Sequence, residues 1–252
     1  MGIRPLRWCT EAILRVLRSA TRRATPLLDV GCGDCLLSYG LLNLPLGEVV
    51  GLDIVHEKAK QIADLPRRIT AAGLKPPANT ERFSHVDYDG TTFPFPDASF
   101  DVVFSWGAFE HISEPQVVLS EMRRVLSPDG FIFVTVFPWY QSRDGSHLTD
   151  FITEPWFHLK WTPEAVREAL DQREYDNDGQ RSFVTGHLWG EFERPNGFSA
   201  DMFYECARQA GWQAAKVELK HVIDDLTKAP DGYRLSDLMI TGCTMVLVPE
   251  SN

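Results

Sequence analysis

The sequence predicts an α/β fold in which helices cover both faces of a doubly wound, mainly parallel sheet. Short apolar strands alternate with amphipathic helices along most of the chain, a pattern typical of parallel sheets. Apolar residues make up 44% of the 252 residues and charged residues 24%, which is the composition of an ordinary globular protein. The length is about 1.7 times that of an average domain, so we expect one large domain with a sizeable insertion.

The alternation of strands and helices is regular up to residue 137 and returns after residue 195. Its periods predict strands over 26–30, 49–53, 83–86, 100–105, 131–137, 215–223 and 238–248, and helices over 36–42, 57–72, 114–126 and 200–210. We therefore predict a domain over residues 24–252, interrupted by an insertion over 138–195. Four of the seven tryptophans and three of the seven histidines fall in that insertion.

The first 23 residues differ from the rest of the chain in charge. Six arginines and one glutamate give this segment +5, which leaves −15 for the remainder of a chain whose total is −10. We predict a basic amphipathic helix that covers an edge of the core or contacts an anionic surface. An acidic chain disfavours nucleic acid as a partner, and no apolar run reaches the roughly 18 residues of a membrane-spanning helix. Five cysteines, an odd number, fit a reduced cytoplasmic protein.

The strongest local signal is the loop after the first strand. The run LLDVGCGDC over 27–35 contains two glycines that let the backbone approach a ligand at the start of a helix. Asp53 ends the second strand, 20 residues after Gly33, where an acid accepts hydrogen bonds from both hydroxyls of a ribose. Leu36 stands where a dinucleotide fingerprint needs its third glycine. The loop therefore predicts a nucleoside ligand and disfavours NAD.

The DVGCG order of residues 29–33 resembles motif I of the class I S-adenosylmethionine-dependent methyltransferases, in their type 11-like group. Further matches stand in the family's order and spacing at residues 86–88, 93–105, 110–112 and 123–131. The family's usual third loop glycine is Cys35 here, a small residue. The resemblance implies a Rossmann-like sheet of seven strands with an antiparallel last strand. It also implies S-adenosylmethionine as cofactor and S-adenosylhomocysteine as product.

The resemblance further implies which residues bind the donor. The implied set is Asp29, Gly31, Cys32, Gly33, Asp53, Ile54, Asp87, Tyr88, Ser105 and Trp106. Within it, Asp53 is expected at the ribose, and Asp87 and Tyr88 at the adenine. Asp29 has a second interpretation as an anchor of the loop backbone. Cys32 and Cys35 also have a second interpretation, as a redox pair or as half of a zinc site.

The insertion follows the fifth strand, at the carboxyl edge of the sheet where ligands bind, so we look there for a base. His147 and Asp150 are spaced to face each other on one helical turn, and an imidazole oriented by a carboxylate is a general base near neutral pH. We predict His147 as the base, Asp150 as its orienter and His158 in reserve; His147 as an exposed or capping residue is the alternative. His111 is interpreted mainly as a packing residue. No metal is predicted, although these side chains and Asp144 leave a divalent cation such as Mg²⁺ open.

The aromatic residues of the insertion are predicted to contact the acceptor. The predicted set is Trp139, Tyr140, His147, Trp156, Trp161, His187 and Trp189. Such rings suit the apolar faces of sugars, an aromatic natural product, or a small core of the insertion itself. Residues 147–158 resemble a segment of sugar O-methyltransferases of bacterial polysaccharide biosynthesis, such as the mycobacterial methylmannose polysaccharide 1-O-methyltransferases.

These observations together predict an O-methyltransferase. A methyl group would pass in line from S-adenosylmethionine to a hydroxyl of a small acceptor, a saccharide or oligosaccharide. A natural-product O-methyltransferase and a non-catalytic nucleoside-binding protein are the alternatives, and a homodimer is left open. The fourth strand ends in SWGA at 105–108 rather than in a tetrapeptide that methylates nucleobase nitrogen, so nucleic acid is a poor acceptor candidate.

Overall fold

The structure, a computed structural model, describes residues 26–44, 47–54, 59–71, 73, 75–222 and 225–250. Its strands are β1 (Leu27–Val30), β2 (Val49–Asp53), β3 (Phe83–Asp87), β4 (Phe100–Trp106), β5 (Leu126–Val136), β6 (Trp212–His221) and β7 (Ile240–Pro249). They form one sheet in the order β3-β2-β1-β4-β5-β7-β6. The pairs among β1 to β5 are parallel, and β7 runs antiparallel to both β5 and β6. The predicted Rossmann-like fold with an antiparallel last strand is confirmed.

Helices connect the strands and fill the insertion. They are α1 (Leu36–Leu41), α2 (Ala59–Ala71), α3 (Pro115–Val125), α4 (Phe157–Lys160), α5 (Pro163–Asp171), α6 (Asp178–Ser182), α7 (Trp189–Phe192), α8 (Ala200–Gln209) and α9 (Leu235–Met239). A π-helical segment, Phe183–Leu188, joins α6 to α7. Short 3-10 turns occupy Thr80–Arg82 and Leu226–Lys228. The helices that the hydrophobic periods predicted correspond to α1, α2, α3 and α8.

The position of β1 explains its apolar sequence. This strand lies between β2 and β4, and all four of its residues are buried. The helix α3 turns Val118, Met122 and Val125 inward, as its period predicted. Trp212 at the start of β6 is almost fully buried, and its indole N–H donates to the Leu119 carbonyl at 3.1 Å. The last strands are thereby fixed against α3.

The fifth strand begins earlier than the sequence predicted. We expected it at residue 131, after the turn residues Ser-Pro-Asp-Gly, but it starts at Leu126, which pairs with Phe100. The ladder resumes with Val102 opposite Phe131, so the intervening residues bulge from it. Leu126 is 5% exposed, and burial of its side chain holds the strand end in place.

The insertion after β5 has its own apolar cluster. Helices α4 and α5, the π-helical segment and the loop before α4 contribute Leu148, Ile152, Phe157, Val166, Leu170, Val184 and Leu188 to it. A segment that buries so many apolar side chains against one another is a folded part of the protein. The poor periodicity of this region reflects helices that are mostly too short to show a face.

Two expectations concern parts of the chain beyond the sheet. The predicted basic helix of residues 1–23 lies outside the described residues. Within the described part of the chain, no helix is both long and apolar enough to cross a membrane.

Candidate functional site

The backbone of the loop between β1 and α1 can come close to neighbouring groups because the loop contains two glycines. Gly31 has φ +73°, a conformation that side-chain-bearing residues rarely adopt, and a Cβ there would collide with the side chain of Ala108. The N–H of Gly31 donates to the Leu52 carbonyl at 2.8 Å, which ties the loop to the end of β2. Apart from Gly33 and its two chain neighbours, no heavy atom of the described residues lies within 4 Å of the place where a Cβ of Gly33 would stand. The loop therefore leaves room for a ligand.

Acidic side chains border this space at the carboxyl ends of β2 and β3. Asp53 accepts the N–H of Gly33 at 2.7 Å and is 7% exposed. The strand register pairs Asp53 with Asp87. Tyr88 follows, its N–H donates to the Asp53 carbonyl at 3.1 Å, and burial raises the pKa of its phenol to about 12. The structure thus brings Asp53, Asp87 and Tyr88 together at this edge of the sheet.

Other residues of the implied donor set lie deeper or further out. Asp29 is buried and accepts a hydrogen bond from the hydroxyl of Ser38, so it braces α1 against β1. Ser105 is fully buried and donates to the Val30 carbonyl at 2.8 Å. Trp106 stacks on a neighbouring phenylalanine with 6.2 Å between ring centroids. The side chains of Ser105 and Trp106 are thus packed inside the sheet layers, and Ile54 is exposed at the edge.

The cysteines of the loop pack against each other. The Sγ atoms of Cys32 and Cys35 are 3.2 Å apart, and both side chains are buried. Cys35 has φ +59°, the left-handed conformation that explains the glycine usual in the family at this position. Both cysteines have free thiols.

A cluster of imidazoles and a carboxylate lies beside the donor loop. The Nε2 atoms of His111 and His147 are 3.0 Å apart, and the two rings are stacked. Glu191 places Oε2 3.5 Å from the His111 nitrogen and 3.6 Å from the His147 nitrogen. His187 approaches the other oxygen of Glu191 at 3.5 Å from the outside. We call His111, His147 and Glu191 the histidine–glutamate cluster.

Three separate segments bring this cluster together. His111 lies on a turn after β4 that starts at Ala108, the residue that contacts Gly31. The amide of Asn196 donates to the carbonyl oxygens of Phe109 and Ile112 and so holds this turn. His147 lies in the loop after β5, and Glu191 lies on α7. Because the turn touches the loop between β1 and α1, the cluster stands next to that loop.

The cluster borders a small cavity. Its other lining residues are Glu110, Pro138, Tyr140, Gly145, Ser146, Phe192 and Pro195. Gly145 is needed there because a Cβ would overlap the Tyr140 backbone and stand 2.6 Å from Nε2 of His158. The cavity has a volume of about 10 Å³, room for about one water molecule, and its lining combines apolar rings with hydrogen-bonding groups.

Burial controls the protonation of this site. It lowers the pKa of His111 and of His147, against the opposing effect of Glu191, which favours their charged forms. Burial also raises the pKa of Glu110 to about 8, and the charge of Glu191 adds to this effect. The imidazoles are therefore mainly neutral near pH 7, with nitrogen lone pairs that can accept a proton.

The predicted orienter and reserve base of the insertion are not where the spacing argument put them. Asp150 is exposed, and the carboxylate close to His147 is that of Glu191. The helical spacing fails because residues 144–152 form turns. His158 is buried, its Nε2 lies 2.7 Å from the Tyr140 carbonyl, and burial lowers its pKa to about 4. Asp144 pairs with Arg143 at 2.6 Å, so the cation site drawn from the spacing is not assembled.

Of the side chains predicted to contact the acceptor, some line the cavity and the others lie away from it. Tyr140 and His147 line the cavity. Trp139 and Trp156 are 0% exposed and belong to the interior, which corrects their predicted contact with the acceptor. The others lie away from the cavity lining: Trp161 packs on Phe157, Trp189 lies under the guanidinium of Arg167, and His187 reaches only the outer oxygen of Glu191. Large rings fill the core of the insertion because they bury the most apolar area.

Two residues of the site were missed by the sequence interpretation. Glu191 was not considered, although its spacing of four from His187 is a helical signal that could have drawn attention to it. Glu110 was noted only as part of a motif, and its burial depends on the chain packing around it. His111 was interpreted as a packing residue, and it is also half of the imidazole pair.

Known proteins resemble this chain in both sequence and fold. The family model of the type 11 methyltransferase domain matches residues 28–134. The 2-methyl-6-phytyl-1,4-hydroquinone methyltransferase of Synechocystis is 33% identical over 148 residues, which cover 59% of this chain and 40% of that protein. An uncharacterized methyltransferase of Mycobacterium tuberculosis is 31% identical over 157 residues, 57% of this chain and 73% of that protein.

Among solved structures, an S-adenosylmethionine-dependent methyltransferase of Methanosarcina mazei superposes with a TM-score of 0.57 at 15% identity. The superposition covers 94% of this chain and 98% of that one, and it supports the fold. The chain spans less than half of the hydroquinone methyltransferase but 73% of the mycobacterial relative. The loop after β1 and the acids that end β2 and β3 lie within the residues that the family model matches. The chain therefore belongs to the class I S-adenosylmethionine-dependent methyltransferases, and its cofactor is S-adenosylmethionine.

Proposed function

We propose that this methyltransferase methylates a hydroxyl of a small acceptor, a saccharide or short oligosaccharide, and that His147 takes the hydroxyl proton. The observation that carries the proposal is the convergence of two neutral imidazole nitrogens and one carboxylate beside the donor loop. A hydroxyl needs a proton acceptor to become a good nucleophile.

The proposed step is an in-line displacement. Bound S-adenosylmethionine supplies a methyl carbon that its sulfonium charge activates. The acceptor oxygen forms a bond to that carbon as the carbon–sulfur bond breaks, and the hydroxyl proton passes to Nε2 of His147. Glu191 stabilises the imidazolium that results, and S-adenosylhomocysteine leaves.

The two imidazoles must separate slightly for this step. Their Nε2 atoms now face each other at 3.0 Å, so an entering hydroxyl replaces that contact. Replacing one hydrogen bond by another costs little, because a single hydrogen bond contributes only about 1 kcal/mol net. His111 is proposed to position the hydroxyl from the other side.

The residue types that line the cavity favour a saccharide of which only the reacting hydroxyl enters, because the cavity has room for about one water molecule. Tyr140 and Phe192 offer apolar ring surface, and Ser146 and the cluster offer hydrogen-bonding groups. Sugar rings need both, because they combine apolar faces with hydroxyl edges. The resemblance of residues 147–158 to sugar O-methyltransferases also favours a saccharide acceptor.

A hydroquinone is the second candidate acceptor. The relative from Synechocystis, 33% identical over its match, is named for a hydroquinone substrate. A phenolic ring would use the same apolar surfaces, and its hydroxyls would meet the same imidazoles. The position of the new methyl group, on oxygen or on ring carbon, distinguishes this reaction from sugar methylation.

The test is release of S-adenosylhomocysteine from the purified full chain with a panel of saccharides and hydroquinones, and mass spectrometry of the products. We expect transfer to a saccharide hydroxyl, a loss of roughly 10²-fold or more in His147→Ala, and no change in His221→Ala. His147→Ala should bind S-adenosylhomocysteine normally by calorimetry, whereas Asp53→Ala should lose that binding. An unchanged rate in His147→Ala refutes the role of His147. Donor binding without transfer to any acceptor supports a non-catalytic protein instead.

A further inference from the structure

The three ligand atoms of the histidine–glutamate cluster form a compact triangle. Its sides are 3.0 Å between the two imidazole nitrogens, and 3.5 and 3.6 Å from these nitrogens to Oε2 of Glu191. Two ligands held about 2.1 Å from one cation are about 3.0 Å apart at a right angle and about 3.4 Å apart at the tetrahedral angle. The triangle therefore has the size of one face of a metal coordination shell.

A buried carboxyl group lies beside the same two imidazoles. Glu110 is 4% exposed, and its Oε2 has no hydrogen-bond partner among the residues that the structure describes. A carboxyl oxygen of Glu110 and the ligand nitrogens of His111 and His147 all lie within 4.8 Å of one another. A buried polar atom without a partner is costly, and a cation at this point would provide the missing interaction.

We propose that His111, His147 and Glu191 form a binding site for one divalent transition-metal ion, with Glu110 beside the two imidazoles as a further carboxyl group. Two imidazole nitrogens and carboxylate oxygens suit Zn²⁺, Co²⁺ or Mn²⁺, whereas Mg²⁺ and Ca²⁺ prefer oxygen ligands throughout. His187 supports the site from outside, because it lies 3.5 Å from the second oxygen of Glu191 and so fixes the direction of that carboxylate.

The ion and the acceptor proton compete for the same atom. With a metal on Nε2 of His147, that nitrogen has no lone pair for a hydroxyl proton. The proposed transfer therefore belongs to the metal-free protein, and occupancy of the site inhibits it. The binding of the ion itself needs neither donor nor acceptor, so the site and the proposed function fail independently.

The test is a titration of the full chain with Co²⁺, followed by its visible absorption, with Zn²⁺ as a competitor. We expect one ion per chain, displaced by Zn²⁺, and at least 10-fold weaker binding in Glu191→Gln and His111→Ala. His187→Ala should weaken binding less than either of these. The matched control is His221→Ala, in which an imidazole on β6 is removed and Co²⁺ binding should be unchanged.

Two results overturn the site: no saturable Co²⁺ absorption in the full chain, or equal affinity in the wild type, Glu191→Gln and His111→Ala. Retained binding of S-adenosylhomocysteine shows that each variant is folded. In the acceptor assay, a rate that falls as Co²⁺ fills the site supports the competition at His147. A rate that rises with occupancy refutes His147 as proton acceptor and leaves the metal site standing.

Discussion

His158 makes the stability of this protein depend on pH in a way that can be measured. Its side chain is 5% exposed, and its Nε2–H donates to the Tyr140 carbonyl at 2.7 Å. Burial lowers its pKa from the usual 6.5 to about 4, and the charge of Lys160 acts in the same direction. Between about pH 4 and pH 6.5, the folded protein therefore holds a neutral His158 imidazole, whereas the unfolded chain holds a charged one.

The sign and size of the effect follow from these two pKa values. As pH falls below 6.5 the unfolded chain takes up a proton that the folded protein refuses until about pH 4. The free energy of unfolding is at its full value above pH 6.5, declines between 6.5 and 4, and loses no more below 4 from this residue. At 1.36 kcal/mol per pKa unit the total loss is about 3 kcal/mol.

The assay is urea unfolding, followed by tryptophan fluorescence, between about pH 7.5 and pH 4. His158→Gln keeps an N–H donor for the Tyr140 carbonyl but does not titrate. The other titrating groups are common to both proteins and cancel in the difference between them. We expect the wild type to lose about 3 kcal/mol relative to His158→Gln across this range, while His221→Gln follows the wild type. A difference that stays constant with pH would refute the reasoning.

Three further substitutions test the site and its supports. Gly31→Ala places a side chain on a residue in the left-handed conformation, which costs about 1 kcal/mol or more in backbone strain. We expect S-adenosylhomocysteine binding, measured by calorimetry, to weaken at least 10-fold. Asn196→Ala releases the turn that carries the imidazole pair, so the transfer rate should fall while donor affinity is kept. Arg124→Ala removes donors to the carbonyl oxygens of Phe93 and Phe95 and should lower the unfolding free energy by about 2 kcal/mol, measured in urea.

The sheet could be predicted because its signals are local. The central parallel strands are short apolar runs that burial on both faces requires, and β1 shows this with four buried residues in succession. The acids that end β2 and β3 could also be predicted as candidate binding residues, since the end of a parallel strand marks the carboxyl edge where ligands bind. Strand β5 was predicted too short because Leu126 is held by its pairing with Phe100, a contact between distant residues.

The acceptor side could be predicted only in part because its contacts are not local. His147 was found from its chemistry, but its partner Glu191 lies 44 residues further along the chain and meets it only through the fold of the insertion. Asp150 was chosen by helical spacing in a segment that is not helical. Composition could not separate Tyr140, which lines the cavity, from Trp139, which fills the core, because both uses favour aromatic rings.

The departure of Cys35 from the family's glycine shows how the donor loop tolerates change. Its left-handed conformation costs roughly 1–2 kcal/mol in a residue with a side chain. That side chain is 0% exposed, and its sulfur lies 3.2 Å from that of Cys32, so burial of the thiol offsets part of the cost. Gly51 on β2 makes the space, because a Cβ there would stand 2.9 Å from the Cys32 sulfur. The Cys35 side chain thus packs on the buried side of the loop, and the Gly33 N–H still donates to Asp53 at 2.7 Å.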